Sequence, residues 1–373
     1  MKRKFLVLAV ILITSLCYAF EWGGVITDDT KLTTNFDSIK FHQSNSASLW
    51  SNINFGNSGT TYLTTQGTFK YYLDLEKDEE PAYTPLFNLD LLKFSTIGKF
   101  SGSSISFSMG RFFTSDFTSK IFSQACDGAS LELTYPVINV GAYVGYTGLL
   151  NSNEVSILDS DGNIHSEAHG YLPSSLTISF PTAFLNQHIA LQMLAIFDTP
   201  DFVYNRYYGT VIMKGPIVGP LGYSLSTVFG SENFENVMNY SNLSISFTPS
   251  QMISISLGGN YASGKILFLE PFAGFTSCTA YNSIDYPELS GVILPYVSMS
   301  FIQQKFCSLL NVAGVFTMPE SDIEFKGIDA TITMIFNIYS DLQVNFKAIG
   351  FWDLSSEADK TNMSFDLSAA ISF

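Results

Sequence analysis

The sequence predicts an all-β fold: a transmembrane, antiparallel, up-and-down β-barrel of about 18 strands, the number being even and between about 14 and 18. Three observations predict it. A charged and apolar leader opens the chain, yet nothing after it is a membrane-spanning helix. Short segments that alternate apolar and polar residues recur along the remaining length. The last segment is an amphipathic strand that stops on an aromatic residue.

The leader comes first in the chain. Lys2, Arg3 and Lys4 precede an apolar run from Phe5 to Leu16, and Cys17-Tyr18-Ala19 follows. This is a basic n-region, an h-region too short to span a bilayer, and a small-x-small cleavage site, so residues 1–19 read as an export signal cut after Ala19. Lipidation at Cys17 is disfavoured by Leu16 immediately before it. Residues 20–373 then form a single barrel domain with no separate hatch or repeat array. Removing the three basic residues takes the net charge from −15 to −18. That balance excludes a nucleic-acid partner, which needs a basic footprint, and suits an acidic surface or a cation-favouring lumen.

The bulk composition agrees. Hydrophobic residues are 46% of the chain and aromatics 15%, with 33 Phe and 19 Tyr. Ser, Thr, Asn and Gly interrupt every apolar run after the leader, so no stretch reaches the roughly 20 apolar residues of a helical span. A bilayer offers no water to backbone groups, which leaves a closed barrel as the structure that can cross. The mature cysteines are Cys126, Cys278 and Cys307. A Cys126–Cys278 disulfide and three separate thiols are both open.

Period-two alternation then marks strands in order: Ile105, Phe107 and Met109; Ala129, Leu131, Leu133 and Tyr135; Ile189, Leu191, Met193, Ala195 and Phe197; Leu221, Tyr223, Leu225, Thr227 and Phe229; Ile253, Ile255 and Leu257. Toward the end, Ile328, Ala330, Ile332, Met334 and Phe336 oppose Asp329, Thr331 and Thr333, and Leu342, Val344, Phe346 and Ala348 oppose Gln343, Asn345 and Lys347. Tight turns are expected at Asn57-Ser58-Gly59, Ser101-Gly102, Pro136-Val137, Gly215-Pro216, Pro249-Ser250 and Ile302-Gln303. Longer acidic connections, at 76–85, 151–169, 231–235, 319–324 and 353–360, alternate with them. Short turns on one side and long loops on the other are the habit of transmembrane barrels. Residues 30–45 and 263–290 resist parsing.

In the last strand Met363, Phe365, Leu367, Ala369, Ile371 and Phe373 share one face, while Ser364, Asp366, Ser368, Ala370 and Ser372 share the other. A final amphipathic strand ending in Phe resembles the C-terminal signature of bacterial outer-membrane barrels. On that resemblance, Met363, Phe365, Leu367, Ile371 and Phe373 are the signal read by the barrel-assembly machinery. It implies a porin-like protein held in outer-membrane lipid, and it is silent on subfamily.

Residues opposite the lipid face would line the interior: Lys70, Asp90, Arg111, Glu132, Gln192, Asp329, Lys347 and Asp366. They are either lumen ion pairs or parts of a selectivity ring. The stretch from Met109 through Arg111 and Asp116 to Asp127 resembles the strand–Gly-Arg–insertion–Asp-Gly–strand unit of several porin-like families, whose insertion packs into or over the lumen. Arg111, Asp116 and Asp127 are therefore constriction candidates, with Lys120 beside them, and an Arg111–Asp127 clasp at the strand ends is the plainer alternative.

Catalysis finds no support. No nucleophile elbow, HExxH or phosphate loop occurs, alternation supplies no lipid-side Ser–His pair, and no cofactor or metal is implied. His165 and His169 read as solvated loop residues, and Asp159 to Asn163 as a turn lacking the distal Glu of an EF-hand. The expected function is passive passage of small hydrophilic solutes, with cations preferred. A transporter of hydrophobic ligands and a surface-exposed structural or adhesive barrel are the alternatives. The first lacks room for an N-terminal plug, and the second has only moderate loops to present. No subunit interface can be read, so a monomer and a homo-oligomer are both open.

Overall fold

A computed structural model of the chain describes residues 17–34, 38–55, 60–76, 82–147, 157–158, 164–165, 170–182, 184–199, 205–266, 268–274, 290–318, 322–355 and 361–373. Strands β1 (Cys17–Thr34), β2 (Ile39–Phe55), β3 (Thr61–Glu76), β4 (Ala82–Phe100), β5 (Ser103–Ser115), β6 (Ser123–Thr134) and β7 (Asn139–Tyr146) open the wall. Strands β8 (Ile157–Leu158) and β9 (Ile164–His165) pair only with each other. The wall continues with β10 (Tyr171–Phe180), β11 (His188–Asp198), β12 (Arg206–Val218), β13 (Leu221–Glu232), β14 (Met238–Ser250) and β15 (Ile253–Ala262). It ends with β16 (Val292–Ile302), β17 (Phe306–Thr317), β18 (Glu324–Asn337), β19 (Leu342–Asp353) and β20 (Asn362–Ser372).

The wall holds 18 strands. Sequential strands pair antiparallel, and β1 closes on β20 from Val25↔Ser372 to Thr34↔Met363. Closure matters because an open edge in lipid would leave a row of backbone groups without partners. Among the described residues no helix is long and apolar enough to cross a membrane.

Alternation decides which side chains face out. Ile105, Phe107 and Met109 on β5, Leu191 and Met193 on β11, and Phe365, Leu367 and Ile371 on β20 are all exposed on the outer surface. Their strand neighbours Ser108, Gln192 and Ser364 are buried on the inner side. This is the division expected of a wall between lipid and lumen.

The two rims differ as expected. On the rim that holds the start of β1 and the end of β20, the β4–β5, β12–β13 and β14–β15 connections are residues 101–102, 219–220 and 251–252 alone. Ser101 and Gly102 both have positive φ (34° and 77°), the backbone of a two-residue hairpin whose twist suits its strands. On the opposite rim β7 joins β10 through residues 147–170, and β15 joins β16 through 263–291.

Several details correct the sequence reading. Gly215 and Pro216 lie inside β12, where the register shifts between Pro216 and Val218, and the turn falls at Gly219-Pro220. A proline that cannot donate to the ladder is tolerated at such a bulge near a strand end. The connection expected over 76–85 is shorter, because β4 begins at Ala82. Residues 30–45 become the end of β1 and start of β2, and 263–290 become most of the longest connection. Asn57-Ser58-Gly59 lies outside the described residues.

Candidate functional site

The inner wall divides into two arcs of different character. Over β10–β19 it carries an apolar cluster, in which Leu194, Ile196, Tyr208, Val228, Tyr240, Val292, Leu294, Val315 and Phe351 are buried, set beside inward polar residues such as Gln192, Thr210, Asn260, Asn311 and Asp329. Over β19, β20 and β1–β4 it is polar and charged. Cross-strand pairing sets Lys347 against Asp366, Asp366 against Lys31, Lys31 against His42, and His42 against Asp74. The His42 Nδ1–Asp74 Oδ1 separation is 2.5 Å. Lys70 stands opposite Ser46 on the same inner face.

Two connections fold against the apolar arc. The first, residues 116–122 between β5 and β6, places Ile121 and Phe122 at 0% and 2% exposure inside the cluster. Asp116 organises it: Oδ1 accepts the Ile121 and Phe122 amides at 2.9 and 2.8 Å. Its Oδ2 accepts the Thr118 amide at 2.7 Å and the Thr118 hydroxyl. The Phe117 amide donates to Gln192 Oε1 on β11 at 2.8 Å, tying the loop to the inner wall. Lys120 reaches a cavity of about 290 Å³ that it lines with Tyr296, Asn311, Asp329 and Lys347. The loop therefore crosses the lumen.

The second connection lies along the wall at β12–β14. Tyr208 Oη donates to the Ala273 carbonyl and Arg206 Nη1 to the Gly274 carbonyl, both at 2.8 Å. Phe272 sits 5.5 Å from the Tyr240 ring, centroid to centroid. Arg206, 1% exposed, also faces Glu232 with Nε–Oε1 at 3.6 Å. An apolar patch on a lumen wall costs free energy if wetted, so covering it with Ile121, Phe122, Phe272 and Ala273 is favourable, at about 1.5–3 kcal/mol for each large side chain buried.

By strand parity seven of the sequence-derived lumen candidates lie on the inward side, Gln192 among them. Lys70, Lys347 and Asp366 belong to the charged arc, and Asp329 joins Lys120 in the same cavity. Asp90 is the extra residue of a β-bulge, because Gln66 pairs with Leu91 and Gly67 with Leu89. Its carboxylate accepts from Thr68 Oγ1 and, at 2.8 Å, from Asn88 Nδ2. Glu132 lines a second inner cavity of about 260 Å³ with Lys93, Phe112, Tyr143 and Gln192. There the Lys93 ammonium lies 4.9 Å from the Phe112 ring centroid.

Three candidates have other roles. Arg111 pairs directly with Leu92 and Asp127 and, unlike the exposed Met109 and Phe113, is buried. Arg111 Nη1 and Asp127 Oδ2 meet at 2.9 Å, and Arg111 is 2% exposed. They form the strand-end clasp that was the plainer of the two expectations. Gly110, beside Arg111, has φ +116°, and a Cβ there would lie 2.0 Å from the Leu92 carbonyl oxygen. Asp116 is inside the barrel, but its oxygens serve its own loop.

Sequence reasoning missed the loop residues that narrow the lumen. Ile121-Phe122 and Phe272-Ala273 are apolar pairs inside long connections, and that placement was the available signal. Cys126 and Cys307 are free thiols, Cys126 buried near Gln124, and Cys278 lies outside the described residues, as do His169 and most of Asn151 to His169. Among the described residues no group of acidic, Cys and His side chains could hold a metal.

No protein-family model matches the chain, and no curated protein matches it in sequence. Solved structures do. The chain is similar to Pseudomonas aeruginosa OccK5 (OpdH) at 10% identity, covering 96% of this chain and 99% of that one, with a TM-score of 0.64. It is similar to OccK2 (OpdF) of the same organism, solved in complex with glucuronate, at 11% identity, 96% and 99% coverage, and TM-score 0.66. The outer membrane protein OprD from P. aeruginosa matches at 11% identity, 95% and 93% coverage, and TM-score 0.62. At such identities the likeness is one of fold: the chain shares the β-barrel fold of these outer-membrane proteins.

Proposed function

We propose that this chain is a bacterial outer-membrane channel through which small hydrophilic solutes pass passively. The observation that carries it is the division of the lumen: inward loops close off the apolar arc, and a charged arc is left along β19, β20 and β1–β4 as the path for water and solute. A barrel of 18 strands is wide enough for an aqueous lumen unless loops fill it, and here they cover one side.

Charges of both signs line the path. Asp29, Asp74, Asp90, Glu132, Asp329 and Asp366 stand there with Lys31, Lys70, Lys93, Lys99, Lys120, Lys214 and Lys347. The chain carries a formal net charge of −15, and a negative field raises local cation concentration, so the channel prefers cations and neutral solutes. The neighbour solved with glucuronate supports solutes of that size, while the negative field disfavours that anion. The reading assigns no catalytic step and no cofactor.

The same reading covers export and assembly. Residues 1–19 are removed as the signal, residues 20–373 form the barrel, and Met363, Phe365, Leu367, Ile371 and Phe373 are presented to the assembly machinery. Proteoliposome swelling tests the channel. The refolded mature chain should admit small neutral sugars and amino acids faster than glucuronate, whereas folded barrels that admit none of them would refute the reading.

A further inference from the structure

The outer face of β1 and β2 places an acidic side chain and two amides among apolar neighbours. Asp28 and Thr30 on β1 stand directly opposite Asn45 and Gln43 on β2. Pairing with β20 fixes their side: Asp28 opposes Ala369, Thr30 opposes Leu367, and the rows before and after are Ile26↔Ile371 and Leu32↔Phe365. Ile26, Leu32, Phe365, Leu367 and Ile371 are exposed outward, so Asp28 and Thr30 point outward too. On the other flank Asn45 opposes Tyr71 and Gln43 opposes Leu73, both on the apolar face of β3. Four polar side chains thus form a closed block inside an apolar surround.

The block lies at membrane depth. Trp22 and Phe373, both exposed, mark the short-turn rim of this face, and Asp28 is six residues further along β1. At about 3.3 Å per residue and a tilt near 40°, that is roughly 15 Å from the rim, close to the middle of an apolar band about 25 Å tall. Asp28 is exposed there, accepting one hydrogen bond from Gln43 Nε2 at 2.9 Å. Lipid tails cannot serve a carboxylate and two amides, so an ionisable residue at this depth marks contact with something other than lipid.

We propose that this block is the interface between copies of the same chain. Two features select a second copy as occupant. The block is self-complementary, since Asp28 accepts while the amides of Gln43 and Asn45 and the hydroxyl of Thr30 donate. Copies in one membrane also share orientation, so their symmetry axis lies along the membrane normal and each residue meets partners at its own depth. The surround allows close approach: Ala47 and Ala369 flank Asp28, and small residues at a membrane interface bring backbones together. The inference rests on placing the barrel in a membrane, as proposed above.

The test is cross-linking of the full mature chain in liposomes, with Ala47→Cys in a background whose other mature cysteines are Ser. Flotation with the liposomes and heat-modifiable migration first establish insertion and folding. Oxidation should give a dimer band for Ala47→Cys and at least tenfold less for Leu243→Cys, an exposed outer residue on β14. Adding Asp28→Leu and Gln43→Leu should reduce the Ala47→Cys dimer at least tenfold while the barrel stays folded. Inserted, folded barrels that remain monomers, or that cross-link equally at both positions, would overturn the interface and leave the membrane reading standing. Failure to float would remove the membrane reading itself, and the interface with it.

Discussion

The two arcs of the lumen are built from the same strands and the same period-two alternation, yet they solve opposite problems. On β10–β19 a cluster of inward Leu, Ile, Val, Tyr and Phe is buried where two connections fold onto it, and polar residues such as Gln192, Thr210, Asn260, Asn311 and Asp329 share the inner side of the same strands. On β19, β20 and β1–β4 the inward residues are Asp, Lys, His, Ser and Thr, and cross-strand pairing of opposite charges keeps them solvated and apart. The comparison teaches that barrel width alone does not set the pore. What the inward residues ask of water decides where loops settle, and the loops decide where solute can go.

The comparison breaks most visibly if the loop is removed. Replacing residues 117–122 by a short Gly-Ser linker uncovers the apolar arc and takes Lys120 out of the lumen. Single-channel conductance should rise severalfold, since constrictions dominate pore resistance, and an unchanged conductance would mean the loop is not in the path. Asp116→Ala is the milder version. It removes the acceptor of four hydrogen bonds, and the open-state current should become noisier as the loop loses order.

The Arg111–Asp127 clasp supplies the next effect, on stability and not on transport. Asp127→Asn leaves the Arg111 guanidinium without its carboxylate in a buried position. Breaking such a pair costs about 3–5 kcal/mol, with the lower end expected because the Asp127 side chain is 22% exposed. Urea unfolding in lipid should show that loss while the reversal potential stays at the wild-type value. A changed reversal potential would put Arg111 and Asp127 on the solute path.

Much of the fold was legible in the sequence because lipid imposes alternation on every strand. The strand number, the even count and the short-turn rim all follow from it. The division of the lumen was not legible, since alternation says that a residue faces inward and nothing about what it meets there. Arg111 shows the limit within one strand: its charge argued for the lumen, its parity with Met109 argued for lipid, and neither cue foretold that it would be buried against Asp127 across the strand. Asp116 shows another. A carboxylate in a lumen loop reads as a selectivity group until the backbone amides it accepts are seen.

A smaller effect sharpens the comparison further. Asp366→Lys, between Lys31 and Lys347 on the charged arc, should shift the reversal potential toward anions by several millivolts in a salt gradient. Val228→Thr, a near-isosteric polar change on the covered arc, should leave the potential unmoved.

Thiol accessibility in a conducting channel addresses the two arcs at once. Ser46→Cys lies on the charged arc opposite Lys70, and Thr210→Cys lies on the covered arc, where Thr210 is 2% exposed. A charged thiosulfonate reagent added during planar-bilayer recording should reduce the current of Ser46→Cys in steps and leave Thr210→Cys and wild type unaffected. Rapid block of Thr210→Cys with no block of Ser46→Cys would place the water path on the apolar side and contradict the account.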